Sequence, residues 1–138
     1  MKYIPLIGRI LFSLIFMYSS IVMFSSDYVY QAEIKGVPLA FILIPFAGIL
    51  QLVGTLSILF GFMAKWGAWI VIIFLIPVSL IINSFWKIDD PMLHQLESLT
   101  FMKNMSIIGG ALMIAYFGSG PYSIDEWKAD KKAKKKRA

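Results

Sequence analysis

Four long, uninterrupted apolar stretches constrain this chain more than any other feature. They run roughly over residues 4–24, 39–63, 67–86 and 99–117. A helix needs about 20 residues, at 1.5 Å each, to cross a bilayer. Pro5 suits the first turn of the first stretch. Pro45 and Pro77 lie inside the second and third, and Gly118-Ser119-Gly120-Pro121 stops the fourth. The third stretch is rich in β-branched residues. In lipid, however, an open sheet edge would leave backbone groups unpaired, and the alternation of a barrel strand is absent. The stretches therefore predict an all-α integral membrane protein, a four-helix antiparallel bundle over residues 1–124 with a basic tail over 125–138. Composition points the same way. The chain is 59% hydrophobic and 15% charged, whereas a soluble domain is about a quarter charged. One small core cannot hide that much apolar surface, so lipid is the natural sink.

The charges are unevenly placed. The tail carries seven of the thirteen Lys and Arg residues against three acids, which accounts for most of the net charge of +5. A lysine run can bind nucleic acid, but beside a membrane span it marks the cytoplasmic side and touches anionic lipid. The first loop, 25–38, and the third, 87–98, are net acidic, whereas Lys2, Arg9, Lys65 and the tail lie at the other end. The positive-inside rule then places both termini in the cytoplasm, as expected for a multi-pass protein of a bacterial inner membrane. Residues 64–66 read as a tight turn, and Asp90-Pro91 as a helix start. Ser19–Ser26 holds no Ala-based cleavage site, so the first stretch reads as a retained span rather than a signal peptide.

Polar groups at membrane depth are costly, and each needs a role. Gln51 sits near the middle of the second span on a helical stripe with Ala47, Gly54, Ile58 and Gly61. The stripe serves either a close helix–helix contact, with Gln51 as hydrogen-bonding glue, or the wall of a ligand cavity. Ser79, Asn83 and Trp86 are spaced i, i+4 and i+7 on the third span and share a face. Lys103, Ser106 and Gly110 do the same on the fourth, with Asn104 beside them. Tyr18, Ser19 and Ser20 reach the same depth on the first. Together these residues predict an outward-opening polar pocket rimmed by Phe85 and Trp86. The simpler reading is an interfacial belt from which Lys103 snorkels to water. Arg9 lies about one turn inside the first span, where it either snorkels to headgroups or pairs with Asp125.

Several chemistries are limited from the outset. With no cysteine and a single histidine, His94, one copy cannot build a disulfide, a thiolate site or a bis-histidine haem, and no metal or cofactor is evident. All eight acids fall outside the spans. Ion-coupled exporters place a carboxylate at membrane depth, so a small multidrug-type exporter is a poor match despite the span count.

Lys103-Asn104, Gly109-Gly110, Gly118-x-Gly120 and Ser123-x-Asp125 occur in series, preceded by Ser79–Trp86, by Gly8-Arg9 and by Gln51-Leu52-Val53-Gly54. This series resembles the DoxX family of small four-span membrane proteins up to about Asp125. The resemblance implies a fold, and an association with redox or oxidative-stress partners of the thiosulfate:quinone oxidoreductase kind. It also implies a Glu where Gln51 stands and a His where Asn83 stands, so acid–base or quinone chemistry there would be impaired in this chain. Three classes follow as expectations. The first is a non-catalytic membrane subunit that binds lipid or quinone and associates with a protein partner or another copy. The second is a quinone-linked oxidoreductase using Lys103, Asn83, Asn104 and Trp86. The third is a small-molecule or lipid transporter.

Overall fold

The computed structural model describes residues 1–137, and all regular structure within them is helical. Helix α1 spans Ile4–Met23, α2 Ser26–Ile34, α3 Ala40–Phe60, α4 Ala64–Ile81, α5 Pro91–Phe117 and α6 Ile124–Arg137, with a 3-10 turn at Phe85–Lys87. Four helical segments, α1, α3, α4 with its following turn, and α5, are long and apolar enough to cross a membrane.

Local chemistry sets the boundaries. Pro5 occupies the first turn of α1, where its missing N–H costs nothing. The Ser25 side chain accepts from the Tyr28 N–H and starts α2, which lies within the expected loop 25–38. Gly61, at φ +63°, ends α3 in the left-handed region that glycine enters freely. The α3–α4 turn falls at residues 61–63, so the expected turn at 64–66 is already helix. Asp90 Oδ1 accepts from the Met92 and Leu93 N–H groups, both at 2.9 Å, and Pro91 follows it. Helix α5 therefore begins about two turns before the apolar stretch does. Its 27 residues reach roughly 40 Å, past a hydrocarbon core of about 30 Å.

Helix α1 packs on α3, α3 on α4 and α4 on α5, and α2 folds back over α3. The closing pair, α1 and α5, has no comparable backbone contact. The closest approach is between α3 and α4. A methyl group on Gly67 would lie 2.6 Å from the Gly54 carbonyl oxygen, so only glycine fits there. One apolar cluster gathers Phe16, Ile58, Val71, Leu75 and Ala111. A second gathers Met23, Ala32, Ala40, Ile44 and Ile82. Along α3 and α4, Gln51 and Ser79 fall between the two. Leu14, Ile21, Phe41, Ile73 and Met113 remain exposed on the outside of the bundle, and lipid is the solvent that makes this tolerable. Both termini lie at one end, the tail end. Helix α2 and residues 82–98 form the other, the loop end.

Candidate functional site

The polar groups meet at the loop end, on α4, on α5 and on the residues that follow α2 and α4. Glu97 lies at the centre of a hydrogen-bonded chain. Its Oε1 accepts from Lys35 Nζ at 2.7 Å, and its Oε2 from Asn83 Nδ2 at 2.8 Å. Asn104 Nδ2 donates to Asn83 Oδ1 at 3.1 Å and to Ser79 Oγ at 3.0 Å. Ser79 in turn donates to the Leu75 carbonyl at 2.7 Å. Each link is satisfied, which is the condition for a polar chain to stabilise a buried site. Lys35–Glu97 is the one side-chain ion pair among the described residues.

Gln51 lies deeper. It is 1% exposed, and its Nε2 donates to the Phe16 carbonyl of α1 at 3.2 Å. That carbonyl can only accept, which fixes the amide orientation and leaves Oε1 without a partner. Gln51 thus links two helices and also lines a cavity, so the two readings of its stripe coexist.

The cavity, of about 290 Å³, is walled by α1, α2, α3, α4 and α5. Phe74, Leu75 and Val78 give it an apolar side, and Gln51, Asn83, Asn104 and Lys103 a polar one. Tyr28 and Lys35 close it from α2. Burial, and secondarily the charge of Glu97, pushes the Tyr28 phenol above its ordinary range.

The structure brings Gln51, Ser79, Asn83 and Asn104 together, with Lys103 and Ser19 on the same cavity, but it leaves Tyr18, Ser20, Ser106 and Trp86 outside the lining. Tyr18 is exposed, and Ser20 bonds back to the Phe16 carbonyl. Ser106 bonds back to the Met102 carbonyl at 3.1 Å on an exposed face. Trp86 is 51% exposed and packs edge-on against Phe85 and Phe101, outside the cavity lining. Phe85 also meets His94, so these aromatics cap the loop end rather than rim the pocket. Glu97, Lys35 and Tyr28, which fall in the expected loops 25–38 and 87–98, are the additions. The readable signal was Glu97, Thr100 and Asn104, spaced i, i+3 and i+7 once Asp90 is taken as the cap.

A second polar knot lies at the tail end. Arg9 is 3% exposed, and its Nη2 donates to the Tyr122 carbonyl at 2.8 Å and the Pro121 carbonyl at 3.3 Å. Its Nε and Nη1 have no partner. Asp125 is adjacent but is not ion-paired with Arg9. Its carboxylate accepts from the Met63 N–H at 3.0 Å and the Ala64 N–H at 3.3 Å. The carboxylate also accepts from the Ser119 hydroxyl at 3.4 Å, so the expected Arg9–Asp125 pair is replaced by two separate attachments. Among the described residues no cluster of three or more His, Asp or Glu side chains could hold a metal.

The model of the SURF4 family matches residues 1–132. The chain belongs to the SURF4 family. It is similar to the Surfeit locus protein 4 homolog of Schizosaccharomyces pombe, 31% identical over 127 residues that cover 91% of this chain and 38% of that protein. It is also similar to inner membrane protein YqjF of Escherichia coli, 34% identical over 123 residues that cover 87% of this chain and 88% of the relative. The ER-derived vesicles protein ERV29 of Saccharomyces cerevisiae is 29% identical over 83 residues, which cover 60% of this chain and 26% of that protein. The chain therefore spans well under half the length of the two yeast relatives and most of the bacterial one. No solved structure matches it.

These findings overturn the DoxX resemblance, because the family model that matches nearly the whole chain is that of SURF4 and one of the relatives is a Surfeit locus protein 4 homolog. The misleading motifs have architectural roles in this SURF4-family chain. Asn104 bridges α5 to Ser79 and Asn83, Gly118 and Gly120 hold positive φ, and Asp125 caps α4.

Proposed function

We propose that this chain is a non-catalytic binding protein of a bacterial inner membrane that holds a small amphipathic molecule in its loop-end cavity. The observation that carries this reading is the cavity's divided wall. One side is apolar, and the other presents Lys103 and the unpaired amide oxygen of Gln51. Its volume, about 290 Å³, lies at the small end of ligand sites, which run from about 300 to 1,000 Å³. Glu97 is engaged by Lys35 and Asn83, so it serves as an anchor and not as a free base. A quinone fits less well than a hydroxylated molecule, because its carbonyls accept hydrogen bonds and would leave the Gln51 oxygen bare.

The basic tail supports cytoplasmic termini, which puts the cavity mouth on the outer side. The bacterial relative, named an inner membrane protein, supports that location. A protein partner or a second copy would use the exposed faces of the bundle.

The test is mass spectrometry of small molecules copurified with the protein in mild detergent. We expect an amphiphile that is retained by the wild type and lost from Asn104→Leu, with helical content unchanged. A folded wild-type protein that carries nothing, and binds no amphiphile offered to it, would overturn this reading.

A further inference from the structure

Two residues that line the cavity mark a sideways opening, since Lys103 is exposed and Ile15 is 40% exposed. They belong to α5 and α1, the two spanning helices without comparable backbone packing. Toward the tail end that seam is closed by side chains, with Phe12 against Gly110. From Ile15 to the end of α1 at Met23 is eight residues, about 12 Å along the helix. The side opening therefore lies within the hydrocarbon depth of one leaflet, where water is a poor occupant and an acyl chain a good one.

Charge narrows the occupant. Lys35 is engaged by Glu97, whereas Lys103 has no ion pair. Those three are the charged residues lining the cavity, so it has one uncompensated positive charge. The Gln51 oxygen lacks a donor. A cavity of about 290 Å³ holds about ten waters' worth of liquid volume, enough for a headgroup and too little for a long chain as well.

We propose that the ligand is an anionic single-chain lysophospholipid of the loop-end leaflet, taken up laterally between α1 and α5. Its phosphate sits at Lys103, a glycerol hydroxyl donates to Gln51 Oε1, and its acyl chain leaves through the seam. This proposal rests on the reading of the cavity as a ligand site.

The chain has no cysteine, so Ile15→Cys/Ile107→Cys gives a clean background for bridging the seam with a bismaleimide. The full-length protein, in vesicles containing 1-oleoyl-lysophosphatidylglycerol, is repurified and its bound lipid counted. We expect the bridged variant to load at least about tenfold more slowly than the same variant left unbridged, and lipid loaded before bridging to stay bound. Lys103→Met should lower affinity by about tenfold, the scale of one lost charge-assisted contact, and erase the preference over 1-oleoyl-lysophosphatidylcholine. Gln51→Leu should erase the preference over oleate, which has no glycerol hydroxyl.

Unchanged loading after bridging, or equal binding of the zwitterionic lipid by wild type, overturns the lateral anionic-lipid proposal and leaves a cavity ligand of another kind. Wild type that binds none of the three probes, and copurifies with no other amphiphile, overturns the cavity reading itself.

Discussion

Asp125 caps a helix to which it does not belong. Its Oδ1 accepts from the Met63 N–H at 3.0 Å, at the start of α4, 62 residues earlier in the chain. Met63 and its neighbours supply no side-chain cap of their own. The first turn of any helix leaves N–H groups without partners and carries partial positive charge, and a carboxylate answers both. Asp125→Ala should therefore lower stability by about 1–2 kcal/mol, the upper range for a lost cap. The check is the thermal midpoint in detergent, and Asp125→Asn should recover part of the loss.

Arg9 and Asp125 make a sharper case together. Arg9 faces carbonyl oxygens and Asp125 faces amide hydrogens. Exchanging them would set a carboxylate against carbonyls and a guanidinium against N–H groups. Each charge reversal should destabilise, and the double exchange should restore nothing. A double-mutant cycle by thermal unfolding measures this, and a rescue of more than about 0.5 kcal/mol would point to direct pairing.

Glycine substitutions should separate by position. At Gly67 a methyl would lie 2.6 Å from a backbone oxygen, which cannot yield, whereas at Gly109 it would meet nothing within 4 Å. Gly67→Ala should cost about 1–3 kcal/mol through overpacking and loosen α3 from α4. Gly109→Ala should be neutral or slightly stabilising, since alanine is the better helix former. Unfolding midpoints of the two variants give the comparison.

The Lys35–Glu97–Asn83 chain predicts an asymmetry. Glu97→Gln keeps an acceptor for Asn83 but releases the Lys35 charge into the cavity. Stability should fall by less than about 1 kcal/mol, because the pair is partly exposed. Affinity for an anionic amphiphile should rise. Asn83→Leu should instead strand buried groups on Asn104 and Glu97 and cost about 1–3 kcal/mol. Ligand binding and melting, measured side by side, separate the two effects.

The spanning helices are legible because their cause is composition, and lipid demands it over a fixed length. Ser79, Asn83 and Asn104 are legible as a group because in-span polar residues at helical spacing must find one another. Glu97 is not, because the Asp90-Pro91 start places it on the fourth helix but it lies before the apolar stretch, which begins at residue 99, so nothing in the sequence ties it to the buried polar group. Lys35 is hidden for a related reason. Helix α2 is short and of mixed polarity, and it is defined by the Ser25 cap and its packing on α3. At the tail end the sequence places Arg9 and Asp125 side by side but cannot say that backbone, and not the opposite charge, satisfies each. The kinship misreads for the same reason, since glycines and caps that any such bundle needs look like a family's signature.

Arg9 has one further consequence, which concerns assembly. Its hydrogen-bond acceptors lie 112 and 113 residues later, nearly the whole length of the chain. During synthesis the first helix enters the bilayer with an unsatisfied cation near one end, and it must wait there until the last loop emerges from the ribosome. The bundle can lock only once residues 121 and 122 have been made, so a nascent chain truncated before residue 121 should remain open to quality-control proteolysis.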